Sequence, residues 1–142
     1  MSLADRQAEL VAALVAGGPL PAGFDTGRVD AAREALLRKR SGEVATVWPV
    51  LAASLDPQWT AAFVGWARGR APNGPLRDGW DLARELAAAG RLPEPALREL
   101  RGREAQWRYD GASAPRPRPL TWARRSWRNT RQRWSSRPRP GR

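Results

Sequence analysis

Cysteine, histidine and isoleucine are absent from all 142 residues, and there is one lysine, Lys39. Without thiol or imidazole the chain has no disulfide, thiolate nucleophile, Cys/His zinc cluster or imidazole acid–base group. A non-enzymatic role is therefore expected, with no metal, no cofactor and no small-molecule substrate, and any demanding chemistry is left to a partner. No run approaches the roughly 20 apolar residues that cross a bilayer. Asp5, Arg6 and Glu9 interrupt the N-terminal stretch where a signal peptide keeps an apolar core, so a cytoplasmic location is expected.

Acidic residues are missing from one region altogether. Residues 1–110 hold 15 basic and 14 acidic residues, whereas residues 111–142 hold ten arginines and no acid, which accounts for nearly all of the net charge of +11. Abundant Ala, Gly, Pro and Arg with no Ile read as the codon habit of a GC-rich genome, so arginine by itself says little. The loss of Asp and Glu after Asp110 says more. The chain divides into a nearly neutral body, 1–110, and a cationic tail, 111–142.

The punctuation of the body is helical. Ser2 caps a first helix with Leu3, Leu10, Leu14 and Val11 on its apolar side, stopped by Gly17 and Gly18. A second helix runs from about Arg28 to Trp48, carrying Val29, Ala32, Leu36 and Leu37, with a bend expected at Ser41 and Gly42. Pro49 opens a short helix to Leu55. Asp56 and Pro57 read as cap and first-turn proline of a helix carrying Trp59, Phe63 and Trp66. Asp78 reads as the cap of a fifth helix with Leu82, Leu86 and Ala89. Pro93 and Pro95 frame a sixth helix with Leu97, Leu100 and Trp107 facing inward. No segment alternates long enough for a strand. The expectation is an all-α single domain of five or six short helices, its core built on Trp48, Trp59, Trp66, Trp80 and Trp107.

After Gly111, Pro115, Pro117 and Pro119 alternate with Arg116 and Arg118, which reads as an extended spacer without hydrogen bonds. Beyond it, Arg124, Arg125, Arg128, Arg131 and Arg133 interleave with Trp122, Trp127 and Trp134, and like charges so dense predict disorder. Guanidinium groups neutralise phosphates and indoles stack on unpaired bases. The same residues suit an anionic membrane surface, an acidic protein or plain solvent. In the body, Arg38, Lys39 and Arg40 form a basic cluster that suits phosphate, an acidic partner or a solvated helix face. Glu104 falls on the inner side of the sixth helix, and a buried carboxylate must be paired. Arg33 is its expected partner in a structural ion pair.

The ordered series Arg28-Val29, Ala32-Arg33, Leu36-Leu37, Gly42, Trp48-Pro49-Val50-Leu51, Leu55, Trp59, Phe63, Pro72, Pro75-Leu76-Arg77-Asp78, Leu92-Pro93, Leu100 and Glu104 resembles the N-terminal helical domain of HvfC/BufC-type proteins, a domain that has carried a DNA-binding label. Leu36 to Ala45 is also similar to the pattern L-L-R-K-R-x-G-E-V-A of small Streptomyces-type proteins. The first resemblance implies an accessory subunit beside an iron-dependent TIM-barrel oxidase that modifies a ribosomally made peptide, with iron and oxygen chemistry on the oxidase. The DNA-binding label implies instead a nucleic-acid-binding protein whose tail carries affinity. Members usually continue into a partly β-sheet second domain; here the cationic stretch takes its place. Lys39 stands where many members have Asn, and Ala32 where many have Tyr. Docking is expected at Arg38, Lys39, Arg40, Trp48 and Pro49.

Overall fold

The computed structural model describes residues 2–20, 23 and 25–119. Six helices succeed one another: α1 (Leu3–Ala16), α2 (Thr26–Val47), α3 (Pro49–Leu55), α4 (Trp59–Ala67), α5 (Pro75–Ala88) and α6 (Glu94–Gln106). A two-residue antiparallel ribbon, β1 (Trp107–Arg108) with β2 (Arg116–Pro117), completes them. Among the described residues no helix is long and apolar enough to cross a membrane.

The helix ends that local chemistry dictates lie where the sequence places them. Ser2 and Asp5 form a reciprocal capping box on α1, with bonds of 3.1 and 2.8 Å. Gly17 ends that helix at φ +73°, a left-handed conformation that glycine adopts without steric cost. Asp25 caps α2 by accepting from the N–H groups of Gly27 and Arg28. The helix starts at Thr26 and continues through Ser41 and Gly42 without interruption; the Ser41 hydroxyl is satisfied by donating to Arg38 O at 2.7 Å.

Two caps differ from expectation. Asp56 ends α3 in extended geometry, the Asp56–Pro57 peptide is cis, and α4 begins at Trp59 with no side-chain cap. Asp78 lies one turn inside α5, whose N-cap is Gly74, and its carboxylate points into the interior. A carboxylate in a first turn favours the helix N-terminus wherever it sits, so the sequence alone does not separate a cap from a buried ligand.

The long α2 is the axis of the body, packing against α1, α3, α4 and α5, while α6 closes the far side over α3 and α5. Val44, Trp48, Leu51, Phe63, Trp80, Ala83, Ala96 and Leu100 form the centre. Trp48 and Trp80 meet edge to face at 5.8 Å, and Trp80 continues to Tyr109 at 5.1 Å. Of the five expected core tryptophans, Trp48, Trp59 and Trp80 are buried, Trp66 is half-buried, and Trp107 lies at the surface because α6 ends one residue before it. The expected apolar side of α1 is largely open: Leu3 and Val11 are exposed and Ala13 takes the buried position, since α1 leans mainly on α2.

The body also extends past residue 110. Tyr109 belongs to the core, and Arg116–Pro117 pairs with Trp107–Arg108, Arg118 N–H donating to Gln106 O at 2.7 Å. Arg116 and Pro117 are extended, as the Pro/Arg alternation predicts, but with Arg118 they are tied to the body rather than a free spacer. Disorder is expected over the whole tail, 111–142; residues 111–119 are instead part of the described structure, fastened by the ribbon, and the rest of that expectation, 120–142, lies outside the described residues.

Candidate docking surface

Three consecutive helical residues point about 100° apart, so Arg38, Lys39 and Arg40 cannot share one face. Arg38 and Lys39 are exposed, 3.9 Å from Glu34 and 3.8 Å from Glu43. Arg40 turns inward. Its Nε–H donates to Asp78 at 2.7 Å, its terminal nitrogens donate to Arg70 O and Ala71 O, and its guanidinium lies 5.7 Å from the Phe63 ring. Asp78 spends its other oxygen on Asn73 N–H at 3.1 Å. Arg40 is thus a bolt between α2, the α4–α5 loop and α5, buried except for an edge that borders a surface hollow.

Trp48 is likewise interior. It has no exposed surface, its indole N–H donates to Leu76 O at 3.0 Å, and the Arg103 guanidinium stacks 4.1 Å above its ring. Arg103 also donates to Val47 O, while the Glu99 carboxylate accepts from Leu51 N–H at 2.8 Å, so α6 satisfies the broken backbone of the α2–α3 junction from outside. Pro49 and its neighbour Val50 remain exposed. The expected docking set therefore divides: Arg38, Lys39 and Pro49 face solvent, and Arg40 and Trp48 hold the scaffold.

The expected Arg33–Glu104 pair does not form. Arg33 pairs with Asp30 and donates to Ala13 O and Gly18 O at 2.8 Å each, tying α1 to α2. Glu104 does have an ion-pair partner, but it is Arg84 on α5, at 2.8 Å, with a longer contact from the Trp80 indole. Arg84 also donates to Tyr109 O, and the Tyr109 hydroxyl donates to Asp81 at 3.1 Å. Burial pushes the Asp81 carboxyl up, which the Tyr109 bond partly offsets. Burial, then the bond to Asp81, pushes the Tyr109 phenol up to about 12.

This gives a direct titration. Tyr109 is the only tyrosine, so phenolate absorbance reports it alone. The expected midpoint is about 12 in the folded chain and about 10 in concentrated urea. Because the folded state holds the proton more tightly, this stabilisation is complete below the unfolded value and is lost as pH rises through the folded one. A folded-state midpoint equal to that in urea would contradict the buried placement of the phenol.

Three hollows open along the outer side of α2 among the described residues. A cleft of about 630 Å³ opens among Leu14, Gly17, Asp30, Arg33, Leu37 and Arg68. Beside it a more apolar hollow of about 170 Å³ is formed by Leu14, Val15, Leu36, Leu37 and Pro72 with Lys39, Arg40 and Glu43 at its edge. A third, of about 500 Å³, lies between α2 and α4 and includes Glu34, Arg38, Pro57 and Arg68. Arg68 on the α4 side reaches Glu34 on α2 at 3.0 Å. Leu36 is 42% exposed there. Sequence periodicity places Leu36 on an apolar stripe; Glu34, Arg68 and Pro72 carry no such signal, since nothing local brings residues 34 and 68 together. Trp122, Arg124, Arg125, Trp127, Arg128, Arg131, Arg133 and Trp134 lie outside the described residues.

The family model described as "SCO6045-like, C-terminal domain" matches residues 4–88, from the first turn of α1 to the end of α5. A UPF0276 protein of Streptomyces avermitilis is 41% identical over 131 residues, an alignment covering 92% of this chain and 26% of that protein. The chain thus spans about a quarter of the length of the curated relative it matches. No solved structure matches it.

Proposed function

The chain belongs to the SCO6045-like C-terminal domain family, and we propose that it is a non-catalytic partner module that docks onto a larger protein through the outer side of α2. The observation that carries this reading is the S. avermitilis relative, in which a stretch similar to this chain makes up about a quarter of a much longer polypeptide. Two regions kept on one chain stay at high effective concentration. The occupant of the α2 surface is accordingly a protein of the kind that forms the other three quarters of that relative.

The surface suits the role. Leu36, Leu37 and Pro72 supply an apolar centre, and Glu34, Arg38, Lys39 and Glu43 a charged rim of both signs, the usual anatomy of a non-obligate interface. The resemblance to HvfC/BufC-type proteins refines the partner to an iron-dependent TIM-barrel oxidase acting on a ribosomally made peptide. In that assignment this chain, with no Cys and no His, positions and the partner reacts.

Mixing the purified full chain with the separately expressed region of the S. avermitilis relative that lies outside the match is expected to give a one-to-one complex by size exclusion and calorimetry. Leu36→Asp with Lys39→Glu should weaken it at least tenfold, about 1.4 kcal/mol, with an unchanged melting temperature. Absence of a complex, or a complex indifferent to both substitutions, would sink the proposal.

A further inference from the structure

We propose that the β1–β2 ribbon is a second binding face, independent of the docking surface, where Arg108, Arg116 and Arg118 take the phosphate backbone of a single-stranded nucleic acid. The register pairs Arg108 directly with Arg116, and Trp107 with Pro117. Residues directly opposite in an antiparallel pair project to the same side, and side chains alternate along a strand. The Arg-Pro-Arg-Pro run therefore gathers Arg108, Arg116 and Arg118 on one side of the ribbon and Trp107 with Pro117 on the other. All three arginines are exposed.

Like charges directly opposite across a ladder are destabilising, and here the opposition is not neutralised. Among the described residues, Arg33, Arg38, Arg40, Arg68, Arg70, Arg84 and Arg103 each have a carboxylate within 4.0 Å, whereas the ribbon arginines have none. Arg118 donates through Nε–H to Trp107 O at 3.2 Å, a backbone contact that leaves its charge uncompensated. The carboxylate nearest in sequence, Asp110, is engaged at 2.9 and 2.7 Å with the N–H groups of Ala112 and Ser113, which hold its carboxyl below the usual range. Other exposed arginines, Arg6, Arg91, Arg98 and Arg101, also lack a carboxylate neighbour, but none of them stands directly opposite a second arginine across a ladder as Arg108 and Arg116 do. A polyanion laid along this side would remove the repulsion.

The chain beyond the ribbon favours nucleic acid over an acidic polypeptide. Past residue 119 it carries eight more arginines and no acid, interleaved with Trp122, Trp127 and Trp134. Cations alternating with indoles match a ligand that alternates phosphates with stackable bases; a string of carboxylates has no counterpart for the indoles.

The test uses the full chain and a fluorescein-labelled oligothymidylate of about fifteen nucleotides, with anisotropy titrations over a range of salt. Arg108→Gln, Arg116→Gln and Arg118→Gln are combined in one variant, and Arg6→Gln, Arg91→Gln and Arg98→Gln in a control that removes the same charge from exposed positions elsewhere. If three phosphates are neutralised at the ribbon, its variant should lower the slope of log affinity against log salt by about 2, from roughly 0.7 per phosphate on a single strand. Affinity at low salt should fall at least tenfold, and the control should move the slope by less than about 0.5. Both variants should melt with the wild-type chain. Equal losses in the two variants would reduce the effect to diffuse charge and overturn the assignment. So would poly-glutamate competing as well as unlabelled oligothymidylate, which would hand the face to an acidic protein.

Discussion

Gly79→Ala is expected to destabilise the body by about 3 kcal/mol, at the upper end of overpacking costs, and to lower its melting temperature by roughly 10 °C. A β-carbon at this position would stand 2.3 Å from Trp48 Cδ1, 2.5 Å from Nε1 and 2.7 Å from Cγ. Trp48 has nowhere to retreat, since its indole is bonded to Leu76 O, covered by Arg103 and abutted by Trp80. Helix propensity alone gives the opposite sign: alanine exceeds glycine inside a helix by about 1 kcal/mol. The control is Gly102→Ala in α6, where a β-carbon meets nothing within 4 Å and stabilisation is expected. Urea unfolding followed by tryptophan fluorescence reads both. A Gly79→Ala chain as stable as the parent would mean that Trp48 is not seated against α5.

Asp78→Ala is expected to cost about 3–5 kcal/mol, the range for removing one member of a buried ion pair. The side chains of Arg40 and Asp78 are only 10% and 2% exposed. Removing the carboxylate strands the guanidinium and leaves Asn73 N–H unpaired. The carbonyls of Arg70 and Ala71 still accept from Arg40 and soften the loss. Replacing both partners, Arg40→Met with Asp78→Leu, should recover much of it, because apolar groups of similar volume need no counter-charge. A double-mutant cycle on urea midpoints separates the pairwise energy from the desolvation of each side chain. A cost below about 1 kcal/mol for Asp78→Ala is the value of an exposed pair and would refute the buried placement.

The effects tie stability to the candidate surface. Arg40 is anchored between Lys39, which faces the proposed partner, and Ser41, whose carbonyl accepts from the Trp59 indole at 3.3 Å. That part of α2 is therefore held on its inner side by α4 and α5 while its outer side stays open. A rigid helix face presented to a partner needs this division, since precise placement comes from packed elements rather than loops.

The legible parts of the fold are those decided within a few residues. Ser2 with Asp5, Gly17, Pro49 and Pro93 mark helix ends through bonds and torsions that involve only their neighbours. Glu104 is recognisable as a carboxylate beside the apolar side of α6, although its side chain is 37% exposed rather than buried, and it does pair with an arginine. Which arginine is not recognisable: Arg33 and Arg84 are alike in sequence terms, and only the packing of α5 on α6 brings Arg84 within 2.8 Å. The inward turn of Arg40 is hidden for a related reason. Lys39 and Arg40 differ by one step around α2, and their fates depend on where α5 lies.

Composition and short-range pattern settled that this chain is helical in its body, without thiol or imidazole chemistry, and strongly cationic after Asp110, because each of these depends on residue identity and spacing alone. Tertiary structure decided that Trp48 and Arg40 are scaffold, that Arg38 and Lys39 are surface, and that an extended Arg/Pro run returns to pair with the end of α6. Those outcomes depend on contacts between residues distant along the chain, and the sum of many such contacts fixes the relative placement of elements that no local torsion or hydrogen bond encodes.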